Sequence, residues 1–412
     1  MKFEVNCNSV EESNIYLRKL WYVFNEITTM GTYFYNEKDV ENNIVTIGDT
    51  NIGTVRFTYK KKGCIKDIII DNLKCDETAL YNACQKALTI KEKTYFIKIC
   101  FKKFKDNKVH SKIKLTEANT KKSLGAVITN NFPHRLIYNS TYKKVHIFND
   151  GKNNYLTFPI TAFCEWDLKT LIQRLFPMIC AILFEYSFSL MDISKCEYTE
   201  LNEDVNLNND YECEEICFNW IDEDEIPNKD GQVLLPIDCL KIIDYIISNN
   251  IDDNIDKIIA SAIILYSTQK IHYSMLNSNE PGISDIINNM GVTSIEPLSN
   301  IIYFESKCCE VCNTEIYSIV KKIKFLVANY SDESFAKYFI KKYYTERSKF
   351  FHVGLLKTTS VLHEKIIPQI DKNGELESPT PFLDINLTDY ISYIFRMLVH
   401  DVLNESIPIF QP

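Results

Sequence analysis

The sequence predicts an α+β protein: a mixed, β-rich N-terminal half followed by an all-α helical bundle. Three observations lead there. Short apolar runs with strand-like alternation crowd residues 1–160. From about Pro236 onward the apolar residues instead recur at i, i+3 and i+4 over long stretches. The charge also changes sign, with 29 Lys and Arg against 22 Asp and Glu over residues 1–200, and 17 against 33 over residues 201–412. A chain of 412 residues has room for two or three domains of roughly 100–200 residues. Its 45% hydrophobic content suits a globular core, 12% aromatics exclude a disordered chain, and 11 Gly with 12 Pro exclude collagen-like repeats.

Within the first half, Ser9-Val10-Glu11-Glu12 is a capping box that opens a helix carrying Ile15, Leu17, Leu20, Val23 and Ile27. Strands are expected at Thr54–Tyr59, Ile65–Ile70, Tyr95–Phe101, Lys112–Leu115, Ala126–Thr129, Val145–Phe148 and Tyr155–Pro159. A helix capped by Asp76 interrupts them as far as Ile90. Asp150-Gly151 marks a turn, and a third helix is expected from Trp166 to Phe188. In the second half, helices are expected over Ile237–Ser248, Asn254–Met275, Ser299–Ala328, Asp332–His352 and Leu387–Glu405, with Gly354 as a stop. No solenoid or propeller period is present.

Between the halves, Glu197 to Asp230 holds thirteen acidic residues and a single Lys229, with no sustained period. This divides the chain into a basic β-rich domain (1–196), an acidic linker or surface loop (197–231) and a helical domain (232–412). Residues 51–150 are the most basic part, with 21 basic and 8 acidic side chains. Lys60-Lys61-Lys62, the run from Lys98 to Lys105, and Lys143-Lys144 are its densest stretches. A basic face of this kind can hold nucleic acid phosphates. The other reading is a solvated surface in a chain that uses 40 Lys and 6 Arg.

The longest apolar stretch, Leu175 to Phe184, is far short of the ~20 residues that a membrane span needs. The N-terminus lacks the apolar region of a signal peptide, so the expected location is cytoplasmic, with no membrane partner. Fourteen cysteines without a repeated interval fit a reduced compartment, where Cys acts as a small hydrophobe. Cys308, Cys309 and Cys312 form a tight cluster, and Cys213 lies four residues from Cys217. Neither has the clean second knuckle of a structural zinc site, and no metal or cofactor is expected.

Phosphate loops, dinucleotide fingerprints, zincin motifs and esterase elbows are absent from the sequence. The segment Tyr343-Tyr344-Thr345-Glu346-Arg347-Ser348-Lys349-Phe350-Phe351-His352-Val353-Gly354 remains. Arg347 and His352 form Arg-x4-His. A histidine can take a proton from a ribose 2′-hydroxyl or give one to a leaving oxygen, and an arginine can offset charge growing on phosphate. On an ideal helix, i and i+5 stand about 140° apart. Joint action therefore requires a distorted helix end or a cleft shared by two subunits. The ordinary reading of His352 is a cation favoured at a helix C-terminus.

This segment resembles the signature of HEPN domains, in particular the Apea-like group, Tyr-x-x-Arg-Ser-x-x-x-His-Gly. Tyr344 to His352 fits it position by position. Val353 departs from it, since Gly354 arrives one place late. The resemblance covers residues 235–405 and implies an HEPN-like bundle, cleaving RNA without metal and dimerising so that two motifs face each other. It implies His352 as general acid/base, Arg347 as phosphate and transition-state contact, and Ser348 as a minor polar participant. Lys349, Lys341 and Lys342 would meet RNA phosphate, although solvated lysines are the ordinary reading. Such domains recur in antiphage defence and toxin systems beside a separate sensing domain, and the resemblance thus implies that the N-terminal domain senses a trigger, nucleic acid or phage-derived. Two alternatives stay open: a non-catalytic HEPN scaffold that dimerises or binds RNA, and a regulatory interaction protein whose acidic half masks its basic half.

Overall fold

Strand β1 (Lys2–Glu4) leads into helix α1 (Val10–Ile27), which starts where the capping box implies. Ser9 Oγ accepts from the Glu12 N–H at 3.0 Å, and Glu12 in turn accepts from the N–H of Asn8 at 2.7 Å. This computed structural model describes residues 1–29, 37–39, 43–61, 63–103, 109–110, 127–128, 136–190, 193–201, 226–275, 283–304, 319–331, 333–354, 369–370, 376–377, 387–407 and 409–410. Strands β2 (Glu37–Asp39), β3 (Ile44–Thr50), β4 (Gly53–Lys61) and β5 (Cys64–Asp71) follow. They form an antiparallel sheet of order β1-β5-β4-β3-β2. Gly53 sits in the β3–β4 turn at φ +132°, where a Cβ would meet the Asp71 carbonyl oxygen at 2.5 Å. Helix α2 (Glu77–Thr89) is capped by Asp76, whose Oδ2 accepts from the Ala79 N–H at 2.8 Å. Tyr16, Leu20, Phe24, Leu80 and Cys84 from the two helices share a core with Val55, Phe57, Ile65, Ile68 and Ile70. Each fully buried aromatic there contributes ~2–3 kcal/mol of apolar burial.

The second sheet starts with β6 (Lys93–Lys103). After the small pair β7 (Val109–His110) and β8 (Val127–Ile128) come β9 (Ser140–Tyr142), β10 (Val145–Asn149) and β11 (Asn154–Ala162). Helix α3 (Glu165–Glu185) follows, then β12 (Phe188–Leu190) and β13 (Glu197–Glu200). The order is β12-β6-β11-β10-β9, with β13 also on β6. The expected helix to Phe188 is corrected here. It ends at Glu185 because Ser187 takes φ +68° and Phe188 pairs with Lys103 in the sheet. The expected strand Lys112–Leu115 and most of the acidic stretch lie outside the described residues.

Two compact units make up the chain: Met1–Phe96 with Pro159–Gln173 and Thr199–Val205, and Ile97–Phe158 with Arg174–Tyr198 and Asn206–Pro412. Among the described residues, the chain passes from one to the other inside β6, β11, α3 and β13.

The hairpin β14 (Asn228–Lys229) and β15 (Gln232–Val233) precedes helices α4 (Ile237–Ile247), α5 (Asp253–Met275), α6 (Ile283–Thr293) and α7 (Ile295–Ser299). Next come β16 (Tyr303–Phe304), α8 (Ile319–Tyr330), α9 (Glu333–Phe339), a π-helical turn (Ile340–Tyr344) and α10 (Thr345–Val353). Strands β17 (Gln369–Ile370) and β18 (Leu376–Glu377), helix α11 (Leu387–Leu403) and β19 (Ile409–Phe410) end the described chain. The helix expected over Ser299–Ala328 is broken. Asn300 and Ile301 close α7 by donating to the carbonyls of Pro297 and Leu298, and Tyr303–Phe304 then pairs in parallel with Ile409–Phe410. The C-terminal half is therefore helical but not purely α.

Leu240, Ile243, Ile258, Leu265, Leu326, Ile394 and Leu398 are buried there. Polar ties run between the helices. Gln269 donates to Thr388 at 2.7 Å, Tyr330 donates to Asp401 at 2.6 Å, and the buried Asp238 pairs with His400 Nδ1 at 2.9 Å. No helix among the described residues is long and apolar enough to cross a membrane. The nine described cysteines are free thiols, and burial pushes the Cys84 thiol up to about 12, which keeps it protonated. Cys308, Cys309, Cys312, Cys213 and Cys217 lie outside the described residues.

Candidate functional site

The segment that carries Arg347 and His352 follows a change of helical pitch. After α9, the N–H of Thr345 donates to the Ile340 carbonyl five residues back, and the Thr345 hydroxyl bonds the same oxygen at 2.9 Å. A π turn of this kind takes up an extra residue, so the side chains beyond it are displaced around the axis from where an unbroken helix would put them. Tyr343 and Tyr344, at the end of that turn, are buried. Every residue of α10, by contrast, is partly or fully exposed.

Arg347 faces α6 and α7. Its Nη2 lies 2.7 Å from Glu296 Oε2, and its Nε donates to Thr293 Oγ1 at 3.3 Å. The Thr293 hydroxyl spends its own proton on the Asn289 carbonyl at 2.8 Å, which leaves its oxygen free to accept. Tyr344 donates to the other Glu296 oxygen at 2.9 Å, so both carboxylate oxygens are engaged. The guanidinium also lies over two rings, 5.5 Å from the Tyr344 centroid and 4.7 Å from that of Phe351. With its side chain 14% exposed, Arg347 belongs to a half-buried, charge-assisted network rather than to a solvated surface pair.

His352 has a different setting. It is exposed in the last turn of α10 and has no hydrogen-bond or ion-pair partner among the described residues. Gly354 closes the helix at φ +71°, its N–H donating to the Phe350 carbonyl at 2.9 Å. The glycine that arrives one place late in the sequence thus performs the left-handed stop, with Val353 as a last helical residue that is 66% exposed. Arg347 points into the network while His352 stands about 140° away around the helix. Within one chain no hydrogen bond joins them.

Ser348 is half-buried with no bond among the described residues, and Lys349 and Lys341 are exposed. Lys342 lies over the rings of Tyr338 and Tyr343, at 5.6 and 5.2 Å. On α8, Lys324 is committed to Glu333 at 2.7 Å and Lys322 to Asn300 at 3.4 Å, which leaves Lys321 exposed.

Sequence reasoning missed Glu296 and Thr293 altogether, since nothing local ties positions 293 and 296 to 347. Tyr344 was within reach: three residues before Arg347, it shares the arginine's side of a helix.

The chain matches no protein-family model, no curated protein and no solved structure. The chemistry of the site is therefore read from its own groups. They are a solvent-facing imidazole able to move a proton, and a guanidinium on the same short helix held by a carboxylate that a phosphate could replace.

Proposed function

We propose that the protein is a metal-independent endoribonuclease of the HEPN type, acting in antiphage defence or as a toxin, with its N-terminal part sensing a trigger. The observation that carries the reading is the uncommitted, solvent-facing His352 at the closed end of α10, five residues after Arg347. In the reaction, an imidazole removes the proton of a ribose 2′-hydroxyl and the 2′-oxygen attacks phosphorus. The 5′-oxygen leaves with a proton from a second acid, giving a 2′,3′-cyclic phosphate and a 5′-hydroxyl. Two copies side by side would supply both imidazoles, one as base and one as acid. Arg347 would offset the charge that grows on the phosphate oxygens once Glu296 is displaced. Ser348 is a polar neighbour, and Lys349, Lys341 and Lys342 would hold flanking phosphates.

The test is incubation of purified wild type and His352→Ala with total RNA in EDTA. Cleavage to cyclic-phosphate ends by wild type, lost in a variant that keeps its fold and oligomeric state, is the expected result. Cleavage that persists in the variant removes His352 from the chemistry. A second reading, a scaffold that binds RNA without cutting it, is favoured by the engagement of Arg347 with Glu296 and Thr293. It expects wild type to retain RNA intact under every condition that permits binding.

A further inference from the structure

A second feature lies on β10 and β11, away from the Arg347 segment in sequence. The strands pair His146 with Thr157 and Phe148 with Tyr155, so these four side chains share one face of the hairpin. Val145, Ile147, Leu156 and Phe158 occupy the opposite face and are fully buried. A hairpin with one face in the core would ordinarily alternate to polar residues on the other. Here the His146–Thr157 end of that face is buried as well, and its other end carries two aromatic rings, both only partly buried, stacked with centroids 5.3 Å apart and planes inclined by 29°.

The rings are held in place and flanked by charge. The Lys98 ammonium, from β6, lies 4.1 Å from the Tyr155 centroid and 3.6 Å from Glu197. The Tyr155 hydroxyl donates to Asp150 at 3.0 Å, and the same carboxylate accepts from the backbone N–H groups of Lys152 and Asn153 in the β10–β11 turn. These bonds hold the Asp150 carboxyl below the usual carboxylate range and fix the tyrosine ring. Lys152 is exposed at the tip of that turn with no ion-pair partner among the described residues, as is Lys144 at the other end of β10. His146, 7% exposed and two residues from Phe148, bonds Thr141 through Nδ1 at 3.0 Å and has no partner for Nε2 among the described residues.

We propose that this face binds single-stranded RNA, with an unpaired base stacking on the side of Phe148 turned away from Tyr155, whose own two faces are taken by Phe148 and Lys98, and the backbone running past Lys98 and Lys152. Fixed aromatic rings beside lysines on a sheet are what unpaired bases recognise, since every base offers a flat apolar face and each nucleotide a phosphate. The ammonium groups of Lys98 and Lys152, beside the rings, would meet the phosphates of the strand. The choice of RNA as the strand rests on the nuclease reading, and the stacking surface does not.

The experiment titrates fluorescein-labelled twelve-nucleotide poly(U) into the full-length His352→Ala protein at low salt, followed by anisotropy. Tyr155→Leu and Phe148→Leu in that background should each weaken binding about 10-fold, whereas Tyr155→Phe should bind as the parent does. Lys152→Gln, at an exposed turn and harmless to folding, should weaken binding a few-fold and reduce the salt slope by about one. Parent-like binding by Tyr155→Leu, no binding by the parent, or tighter binding of duplex RNA than of the single strand would each overturn the proposal. The two readings fail separately. A wild type that cuts RNA while the sheet variants bind normally loses only the stacking surface. A wild type that never cuts, with binding lost in Tyr155→Leu, loses only the nuclease.

Discussion

Helices α10 and α11 belong to the same compact unit and are anchored in opposite ways. α11 buries a continuous face from Leu387 to Val399, including Arg396 at 2% exposure, and α10 buries nothing. Each carries an arginine. Arg396 donates to the Glu185 carbonyl at 2.7 Å in full burial, which pushes its guanidinium down to about 10 and still leaves it charged at neutral pH. Arg347 meets Glu296 at 2.7 Å at the rim of the helices. A helix of nine residues is too short to be stable alone, so α10 owes its place to the buried tyrosines before it and to this one polar network. The difference teaches where exchangeable chemistry can sit. An arginine sealed in a core has no access to a substrate, while one held by a half-exposed carboxylate can exchange partners at modest cost.

Three measurements break or sharpen that comparison. The largest effect is expected from Arg396→Met, which takes one donor from the Glu185 carbonyl and removes the cation beside the buried Glu185 and Tyr186. It should cost ~3–5 kcal/mol in urea unfolding. A loss below ~1 kcal/mol would mean that α11 is held by its apolar face alone. Glu296→Gln keeps the shape of the network but removes its charge, and should cost ~1–2 kcal/mol. Amide exchange in α10 should accelerate while that in α11 stays unchanged, and equal acceleration in both would erase the distinction. The smallest change is expected at Val353, 66% exposed at the end of α10. Val353→Ser should alter stability by less than ~0.5 kcal/mol, and a larger loss would reveal that another surface covers this helix end.

Much of the architecture was legible because its signals are local. The caps at Ser9 and Asp76, the strands around Val55, Ile68, Ile97 and Ile147, and the stop at Gly354 all stand where backbone rules place them. The misreadings share one cause. An apolar stripe ran through Ser299 toward Ala328, but Tyr303 and Phe304 found strand partners at Ile409 and Phe410, more than a hundred residues away. Phe188 looked helical for the same reason and instead joined β6. Periodicity registers which residues seek burial and says little about what will bury them.

The candidate site divides along the same line. By itself the sequence determined the Arg347–His352 spacing, the helix that holds both, its glycine stop and the basic character of the sheet-bearing stretch. These follow from neighbours within a turn or two, where geometry depends only on the local chain. Only the tertiary structure decided that Arg347 turns toward Glu296, 51 residues earlier, that His352 is left facing solvent, and that Phe148 and Tyr155 stack beneath Lys98. Partners so far apart in the chain meet only after packing has fixed which helices and strands are neighbours. No local propensity carries that information.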